Sequence, residues 1–368
     1  MNKRKRVVVA MSGGVDSAVA AALLMEAGYE VIGITMCFNL KDSEGKKPSC
    51  CGIQGIEDAR RVAYKLGIRH YVLNMQKVLK ERVIKDFCQE YLNGRTPNPC
   101  VRCNQYIKFG VLLKKAIALG AEYLATGHYA RIEIRKKAKG ERQNYFLGKA
   151  KDKNKDQSYF LYRLSQRQLR SILFPVGDYT KDEVRGLARR FNLVVADKPA
   201  SQEICFLPDT DYHAFLKKQI DSHINPGPIL DTHGQLLGQH RGIALYTIGQ
   251  RQGLGIAYGY PLYVVRIDAK QNSLIVGRKE DAYEKNFIVK EPHFILRPLK
   301  KKVVLFVKIR YNHKEMPAEV SLSGRKVKVR FKRPQFAVTP GQSAVFYDRD
   351  VVVGGGIIEC LTADEKRA

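Results

Sequence analysis

The segment from Ser12 to Ser17, Ser-Gly-Gly-Val-Asp-Ser, has the residue types of a phosphate-binding loop. Gly13 and Gly14 let the backbone approach a polyanion closely, and a helix beginning there would offer unpaired N–H groups and a positive dipole end. The serine hydroxyls can donate further hydrogen bonds, and Asp16 can help to hold a magnesium ion that neutralises the phosphates. The spacing is neither that of a Walker A loop nor that of a G-x-G-x-x-G dinucleotide loop. We therefore predict a pyrophosphate-binding loop, with a plain turn and an ordinary first-turn acid as the alternative.

Two cysteines stand in C-x-x-C spacing within the segment 96–104, Thr-Pro-Asn-Pro-Cys-Val-Arg-Cys-Asn, where prolines stiffen the chain. They are Cys100 and Cys103, and Cys205 is a third thiol about a hundred residues later. A thiol becomes nucleophilic when cations or a helix start lower its pKa, and Arg102 with the asparagine after Cys103 would provide such surroundings. The spacing alone equally fits half of a zinc site or buried structural cysteines.

The other five cysteines give weaker signals. Cys50 and Cys51 are adjacent in a predicted loop and could bind metal or relay sulfur, although their spacing does not establish either function. Cys37, Cys88 and Cys360 lie in apolar surroundings and are interpreted as core residues. Eight cysteines scattered through a large chain argue against a structural disulfide framework.

The composition indicates a multidomain protein that is attracted to polyanions. A length of 368 residues predicts two or three domains, and no apolar run is long enough to span a bilayer. The first residues do not have the hydrophobic segment of a secretory signal, so we expect a cytoplasmic protein with no membrane partner. The 64 Lys and Arg residues outnumber 36 Asp and Glu, which makes nucleic acid the leading partner class. Acidic membranes or proteins, or a merely solvated basic surface, are the alternatives.

Short apolar runs alternate with amphipathic stretches from Arg4 to about Leu124. This alternation predicts the α/β fold class, with a doubly wound parallel sheet that binds ligands at the carboxyl ends of its strands. Both motifs described above fall near such ends. The predicted strands are 4–11, 29–38, 70–75 and 121–128, and the predicted helices are 16–28, 56–66 and 106–120.

The rest of the chain predicts two further domains. Residues 131–155 hold ten Lys or Arg against three Asp or Glu and are interpreted as a charged hairpin that either contacts nucleic acid or is simply solvated. A helix is predicted around 181–192, and the turn-rich stretch 225–259 indicates a small, irregular domain. From about Asn286 onward, β-branched runs predict an all-β barrel with a basic strand face within 296–335. The predicted division is 1–205 for a catalytic domain, 206–285 for a small central domain and 286–368 for the barrel.

The Ser12–Ser17 loop resembles the PP-loop of the ATP pyrophosphatase superfamily, whose members cleave ATP to AMP and pyrophosphate to activate a carbonyl-type oxygen. The resemblance implies an adenine nucleotide alpha hydrolase-like fold with ATP and magnesium as cofactors. It also implies a set of ATP-binding residues: Ala10, Met11, Ser12, Gly13, Gly14, Val15, Asp16, Ser17, Met36 and Gly127.

Five segments together, SGGVDS, TPNPCVRCNQYIKFG, ATGHYAR, KDQSYFL and SQEICF, closely resemble the tRNA-specific 2-thiouridylases. The resemblance runs over nearly the whole chain, including GQRQGLG, KIRY and PGQ. It implies adenylation of the C2 oxygen of uridine at wobble position 34 in tRNAs for Lys, Glu and Gln, followed by replacement of that oxygen with sulfur. Cys205 matches the persulfide-bearing cysteine and Cys103 the nucleophile, and the pair could close a transient disulfide. A sulfur carrier or a cysteine desulfurase-linked persulfide donor protein is the implied second partner.

The same resemblance implies contacts with tRNA, which enters a rigid, proline-framed loop with its target base unstacked. The residues that match target-base contacts are Asn98, Pro99 and Cys100, and those that match other tRNA contacts are His128, Lys155, Asp156, Gln157, Arg310, Tyr311 and Gln342. Asn98 could instead be a turn residue and His128 a structural group, whereas Arg310 and Tyr311 could be ordinary barrel surface.

One position departs from the family pattern, because better-known members have an aspartate, proposed to assist proton transfer, where this chain has Cys100. Cys100, Cys103 and Cys205 could alternatively hold an iron–sulfur cluster. Two rival functions remain open at this level. One is a PP-loop ligase acting on a small metabolite, and the other is a non-catalytic, zinc-stabilised RNA-binding protein.

Overall fold

The computed structural model describes residues 4–38, 53–135, 143–199, 204–207, 211–220 and 223–359. Cys50, Cys51 and Cys360 lie outside the described residues, so the interpretations given for them are not taken further. The chain forms two compact units. The first comprises Met1–Val83, Cys100–Asp211 and Asp350–Val352, and the second comprises Ile84–Pro99, Tyr212–Arg349 and Val353–Ala368.

The first unit contains a five-stranded parallel sheet with strand order β3-β2-β1-β4-β7. Its strands are β1 (Arg6–Ala10), β2 (Glu30–Cys37), β3 (Arg69–Asn74), β4 (Tyr123–Thr126) and β7 (Ile172–Leu173). Val7, Val8 and Val9 of β1 are fully buried, which is the continuous apolar run expected of a central parallel strand. The predicted parallel α/β sheet is therefore confirmed, and β1 leads directly into the phosphate loop.

Helices follow these strands along the chain. They are α1 (Val15–Glu26), α2 (Ile53–Leu66), α3 (Gln76–Leu79), α4 (Lys85–Leu92), α5 (Pro99–Cys103), α6 (Leu113–Ala118), α7 (Gln166–Leu169), α8 (Lys181–Arg190) and α9 (Tyr212–Ile220). The alanine-rich α1 packs its buried residues into the core of the first unit and ends before Gly28, whose φ of +83° suits a glycine after a helix.

The predicted helix 106–120 begins earlier than expected. Pro99 occupies the first position of α5, where its missing N–H costs nothing, and a π-helical stretch, Asn104–Leu112, connects α5 with α6. The C-x-x-C cysteines consequently lie on a helix and not in a proline-framed loop. A further π-helical stretch, Lys80–Ile84, joins α3 to α4, a helical region for which no prediction was made.

The charged segment 131–155 contains the predicted hairpin. Strands β5 (Ala130–Arg135) and β6 (Asn144–Lys149) pair antiparallel, with Ala130 opposite Lys149 and Arg135 opposite Asn144. This hairpin belongs to the first unit.

The second unit contains two β-structures. A four-stranded sheet has the order β10-β11-β8-β9, and six further strands in the order β12-β15-β14-β13-β16-β17 close into a barrel through β12–β17 pairing. The bounds are β8 (Gly227–Leu230), β9 (Leu236–His240), β10 (Tyr263–Asp268), β11 (Ser273–Gly277), β12 (Tyr283–Phe294), β13 (Val303–Lys308), β14 (Met316–Ser323), β15 (Lys326–Phe336), β16 (Ser343–Asp348) and β17 (Val351–Glu359). The small central domain and the all-β barrel are therefore confirmed.

Strand β15 carries the basic strand face that the sequence predicts within 296–335. Val327, Val329 and Phe331 point into the barrel core, whereas Lys328 and Arg330 alternate with them on the exposed face.

Among the helices of the described residues, none combines the length and apolar character that crossing a bilayer requires.

Helix α8 is fixed at its start by a reciprocal cap. The Thr180 hydroxyl accepts a hydrogen bond from the Glu183 N–H at 3.2 Å, and the Glu183 carboxylate accepts one from the Thr180 N–H at 2.6 Å. This cap determines the position of Lys181, the first residue of the helix.

We predict that Thr180→Ala weakens α8 by about 1 kcal/mol, because one helix N–H loses its acceptor. Hydrogen exchange of the α8 amides should become about fivefold faster, as a free-energy change of that size requires. Thr180→Ser keeps the hydroxyl and should exchange like the wild type. Equal exchange in the alanine variant would show that the cap does not stabilise the helix.

Candidate active site

The phosphate loop is shaped by glycine. Gly13 has a φ of +74°, and a Cβ atom at this position would overlap the carbonyl oxygen of Gly55. Gly14 is the extended residue that precedes α1, and no side chain caps this helix. The Ser17 hydroxyl accepts a hydrogen bond from the Ser12 N–H at 3.2 Å and donates one to the Gly14 carbonyl at 3.1 Å. Ser17 therefore holds the two ends of the loop together, and the start of α1, which has no side-chain cap, lies within the loop.

The strand ends expected to bind nucleotide lie against this loop or beside it. A Cβ atom on Gly127, directly after β4, would stand 2.6 Å from the Ser17 nitrogen, so only glycine permits this approach. On β2, the buried Thr35 hydroxyl donates to the Met11 carbonyl at 2.8 Å and lies 2.8 Å from His70 Nε2. Ala10 ends β1, Val15 is buried in the first turn of α1, and Met36 is half-buried near the end of β2.

Asp16 has two partners that the sequence did not indicate. Its Oδ1 atom accepts hydrogen bonds from the Tyr129 hydroxyl at 2.8 Å and from Lys181 Nζ at 2.5 Å. The Lys181 ammonium also lies 5.9 Å from the centre of the Tyr129 ring. Burial and the adjacent Asp16 carboxylate raise the pKa of Tyr129, so its hydroxyl remains a proton donor.

A second lysine, Lys198, supports the loop. Its Nζ atom donates to the Gly13 carbonyl at 3.1 Å and to Asp58 Oδ2 at 2.6 Å. Burial opposes ionisation of Asp58, but hydrogen bonds from Lys198 and Gln54 outweigh it and hold the pKa of the carboxyl below its usual value. Lys198 therefore has a charged partner and ties the loop to α2.

The carboxylate of Asp16, the predicted magnesium ligand, is bonded to the ammonium of Lys181, and its metal role stays a prediction. Within the described ranges, no three His, Cys, Asp or Glu side chains converge closely enough to hold one metal ion. Cys100, Cys103 and Cys205 are all among the described residues, and the iron–sulfur alternative for them stays a prediction.

Cys103 and Cys205, which are far apart in the sequence, are joined by a thiol–thiol hydrogen bond. Cys103 is buried, whereas Cys205 and Cys100 are half-buried. The hydrogen bond between Cys103 and Cys205, together with burial, raises the pKa of Cys103 well above its ordinary value, although the Lys108 ammonium acts in the opposite direction. The prediction of a lowered pKa for Cys103 is therefore wrong. Cys103 is buried in the helical segment, and its hydrogen bond with Cys205 raises its pKa.

The two residues expected to activate Cys103 have other contacts. Arg102 Nη1 lies 3.5 Å from Gln105 Oε1. Asn104 is buried, and its Nδ2 donates to the Phe160 carbonyl at 3.2 Å, while its Oδ1 has no hydrogen-bond partner among the residues that the structure describes. The sequence did not indicate Lys108, the cation that lowers the pKa of Cys103, because it lies one helical turn further along the π-helical stretch.

His128 is an interior side chain. Only 9% of it is exposed, and the rings of Phe109 and Phe174 lie about 6 Å from its own. Its Nδ1 atom is 2.7 Å from the Thr126 hydroxyl, and its Nε2 is 3.5 Å from Lys108 Nζ. Burial and the Lys108 charge lower the pKa of His128 well below its usual value, so it is a neutral imidazole. In this state it presents no charge to an RNA phosphate.

The Lys155–Gln157 segment is built into the fold of the first unit. Buried Asp156 accepts from the Ala150 N–H at 3.0 Å, and Gln157 Oε1 accepts from the Tyr129 N–H at 3.0 Å. Gln157 therefore positions Tyr129, Asp156 holds the backbone at Ala150, and Lys155 is half-buried.

The predicted tRNA contacts in the second unit also bond to backbone. Gln342 Nε2 donates to the carbonyls of Thr96 and Pro97 at 3.2 and 3.3 Å, which orders the chain just before Asn98 and Pro99. Arg310 Nη2 donates to the Phe336 and Ala337 carbonyls at 2.5 and 3.2 Å. The ring of Tyr311 lies 5.4 Å from Lys308 Nζ.

Three family models match consecutive parts of the chain. The model described as the tRNA methyl transferase HUP domain matches residues 5–209, the tRNA methyl transferase PRC-barrel domain matches 213–278, and the aminomethyltransferase beta-barrel domain matches 284–358.

Curated relatives match over nearly their whole length. The chain is 54% identical to tRNA-specific 2-thiouridylase MnmA 1 of Caldanaerobacter subterraneus subsp. tengcongensis, covering 98% of this chain and 99% of that protein. It is 50% identical to tRNA-specific 2-thiouridylase MnmA of Carboxydothermus hydrogenoformans, covering 97% and 98%. A solved 4-thiouridine synthetase–RNA complex with bound ATP shares 17% identity with a TM-score of 0.36, over 60% of this chain and 51% of that chain. A likeness that distant carries no functional argument.

We predict that Cys205→Ala moves the pH profile of Cys103 alkylation by iodoacetamide to lower pH. The substitution removes the hydrogen bond that contributes most to the raised pKa, so the thiolate forms at a lower pH. Peptide mass spectrometry would quantify alkylation at Cys103 separately from the other thiols.

Cys88→Ala is the matched control, because Cys88 is also buried but lies on α4 in the second unit. It should leave the Cys103 profile unchanged. A Cys205→Ala profile that overlays the wild type would mean that the thiol–thiol contact does not govern Cys103.

Proposed function

We propose that this chain, which belongs to the family of tRNA-specific 2-thiouridylases, uses ATP to convert uridine at wobble position 34 of tRNA into 2-thiouridine. The observation that carries the proposal is the direct contact between Cys103 and Cys205 in the same compact unit as the phosphate loop. Sulfur insertion into a pyrimidine requires both an activated ring oxygen and a sulfur-carrying thiol, and these two features would supply them.

In the proposed first step, the triphosphate of ATP binds the N–H groups at the start of α1, which the glycines of the loop leave accessible. The C2 oxygen of the extruded uridine attacks the α-phosphorus, and pyrophosphate leaves. The oxygen becomes part of an AMP leaving group, and C2 becomes electrophilic. The C2 oxygen of uridine is a poor leaving group, but after adenylation it leaves as part of AMP. A site that binds the pyrophosphate of ATP is therefore useful close to a thiol that delivers sulfur to C2.

In the proposed second step, the sulfur comes from a persulfide on Cys205. In one route its terminal sulfur attacks C2 and expels AMP, and the Cys103 thiolate then attacks Cys205 Sγ, which breaks the sulfur–sulfur bond and releases 2-thiouridine. In the other route the Cys103 thiolate first attacks Cys205 Sγ and releases hydrosulfide, which then attacks C2 and expels AMP. In both routes a Cys103–Cys205 disulfide forms, and an external reductant of the thiol class must restore both thiols. The contact between the two thiols supports either route, since both need the sulfurs adjacent.

The proposed partners are tRNA and a persulfide donor protein, and the proposed location is the cytoplasm. Support for tRNA binding comes from the exposed basic face of β15 and from the charged hairpin of β5 and β6. We keep the division at 1–205, 206–285 and 286–368 as the proposed domain boundaries, and Asn98, Pro99 and Cys100 as the proposed target-base segment. Magnesium is a proposed companion of ATP, without Asp16 as its established ligand.

The names of the matching models include methyl transfer, but the residues favour sulfur transfer. A methyl transfer does not call for two thiols in contact, whereas formation of a transient disulfide does. The small-metabolite ligase would leave both the thiol pair and the basic strand unused. It predicts pyrophosphate release that depends on a small acid and not on tRNA.

The iron–sulfur alternative uses Cys100, Cys103 and Cys205 as ligands and remains a separate proposal. It predicts iron and broad visible absorbance in anaerobically purified protein. Full activity without either would eliminate it.

We predict that the protein, ATP and a persulfide source together form 2-thiouridine in unmodified tRNA, and that Cys205→Ser abolishes this product while retaining ATP and tRNA binding. The serine hydroxyl cannot carry sulfane sulfur. Nucleoside mass spectrometry measures the product, and filter binding measures tRNA affinity.

Cys88→Ser is the control thiol substitution and should form the product at the wild-type rate. Normal turnover by Cys205→Ser would refute the persulfide assignment, and unchanged uridine with the wild-type protein would refute the proposed function.

A further inference from the structure

We propose that the PGQ turn, residues 340–342, positions the proposed target-base segment, and that Gln342 acts through the backbone of Thr96 and Pro97 and not by touching tRNA. The inference deepens the proposed function, because it rests on that function for the identity of the substrate. It gives a task to the motifs PGQ and GQRQGLG, which the proposed reaction steps do not use.

Gly341 permits a close approach between the PGQ turn and the chain just before the target-base segment. Its φ is +91°, and a Cβ atom there would stand 2.8 Å from the Thr96 carbonyl oxygen and 2.9 Å from the Thr96 nitrogen. The Thr96 N–H also donates a hydrogen bond to the Pro340 carbonyl at 2.8 Å. Because only glycine fits at this position, the two backbones can lie in direct contact.

The amide group of Gln342 continues this contact along the chain. Its Nε2 atom donates to the Thr96 carbonyl at 3.2 Å and to the Pro97 carbonyl at 3.3 Å. A glutamine amide has two N–H donors, so these two bonds use both of them. While they last, the side chain has no N–H left for a phosphate of tRNA. Gln342 is therefore a positioning residue in this scheme.

The PGQ turn is itself anchored in the barrel. The Gly341 N–H donates to the Ile358 carbonyl at 3.0 Å, and the Ile358 N–H donates to the Gln342 carbonyl at 2.8 Å. Ile358 belongs to β17 and is fully buried in the barrel core. The turn is consequently a fixed support, and the position of the Gln342 amide is set by the barrel.

The second motif, GQRQGLG, reaches the same stretch of chain. The Thr96 hydroxyl donates to the Thr247 hydroxyl at 3.2 Å. Thr247 is held by Gln250 of the motif, whose Oε1 accepts from the Thr247 N–H at 3.0 Å and whose N–H donates to the Thr247 carbonyl at 3.0 Å. Two motifs that are far apart in the sequence therefore meet at Thr96, and all of these residues belong to the second unit.

Prolines pass this constraint on to the target-base segment. Pro97 and Pro99 are buried, and their rings fix φ on both sides of Asn98. Pro99 is also the first residue of α5, the helix that ends at Cys103. Release of the 96–97 stretch should therefore misalign the target base, which slows the reaction. It should have little effect on tRNA affinity, to which phosphate contacts contribute most.

The first test is Gln342→Met, which removes both donors without adding charge. Nucleoside mass spectrometry measures the single-turnover rate of 2-thiouridine formation with enzyme in saturating excess, and filter binding measures the Kd for tRNA. The rate should fall about tenfold or more, the size expected for two neutral hydrogen bonds, while the Kd stays within twofold. A weaker Kd with an unchanged rate at saturation would show direct tRNA contact and overturn the inference.

Gln335→Met is the matched control for this substitution. Gln335 is also a buried glutamine of the barrel, and its Nε2 donates to a backbone carbonyl, that of Arg333, at 2.7 Å. Both residues lie on β15, so this bond does not involve the 96–97 stretch. The rate and the Kd should both stay within twofold of the wild type.

A pair of glycine variants tests the backbone contact independently of Gln342. Gly341→Ala and Gly324→Ala both place a side chain at positive φ, but an alanine Cβ at Gly324 would meet no atom of the described residues within 4 Å. Gly341→Ala should lower the single-turnover rate as Gln342→Met does, whereas Gly324→Ala should not. Equal rates in the two variants would contradict the inference. Thermal melting identifies any variant that fails to fold, and if Gln342→Met does so, the glycine pair decides.

Hydrogen exchange measures the proposed positioning without any turnover. Thr96 and Asn98 are the residues of 96–99 that have an N–H, and their amides should exchange about tenfold faster in Gln342→Met than in the wild type or in Gln335→Met. Unchanged exchange would show that Gln342 does not hold this stretch. If the wild-type protein forms no 2-thiouridine, the proposed function fails while the exchange comparison still tests the positioning, so the two failures are distinguishable.

Discussion

The site depends on the close approach of bare backbone at two points where no Cβ atom fits. Gly13 turns with a positive φ against Gly55, and Gly127 brings the end of β4 to within contact of the Ser17 nitrogen. These approaches place the start of α1 and the ends of the parallel strands in one small volume. A polyanion can then be bound by main-chain N–H groups, which cannot rotate away as side chains do.

Such a backbone site needs charge from elsewhere, and the fold supplies it from distant parts of the chain. Lys181 and Lys198 come from segments far beyond the loop, and each is paired with a carboxylate near it. Pairing prevents the lysines from being desolvated alone, and it neutralises the acids that would repel phosphates. Gln157 positions Tyr129 by accepting a hydrogen bond from its backbone N–H, and this neutral amide adds no charge near the loop.

The sequence predicts those features that depend on neighbouring residues. The phosphate loop, the alternation of strands and helices, the hairpin and the basic barrel strand all follow from patterns a few residues long, and each is found in the structure. The partners of Asp16 could not be predicted in this way, because Tyr129 and Lys181 are ordinary residues whose meaning comes from tertiary contact. The start of α5 at Pro99 agrees with the preference of proline for the first position of a helix, but two prolines so close together are equally typical of a rigid loop.

Cys103 shows most clearly how contact overrides local context. Arg102 and a helix start suggest a lowered pKa, yet burial and the hydrogen bond to Cys205 raise it. A thiol controlled in this way remains protonated, and therefore weakly nucleophilic, while its partner is a simple thiol. A sulfane sulfur would be bonded to Cys205 Sγ, the atom that takes part in the hydrogen bond, so the largest cause of the raised pKa would change when the sulfur arrives. The reactivity of Cys103 would thereby depend on whether Cys205 is loaded, which would protect the pair from wasteful oxidation in the absence of sulfur.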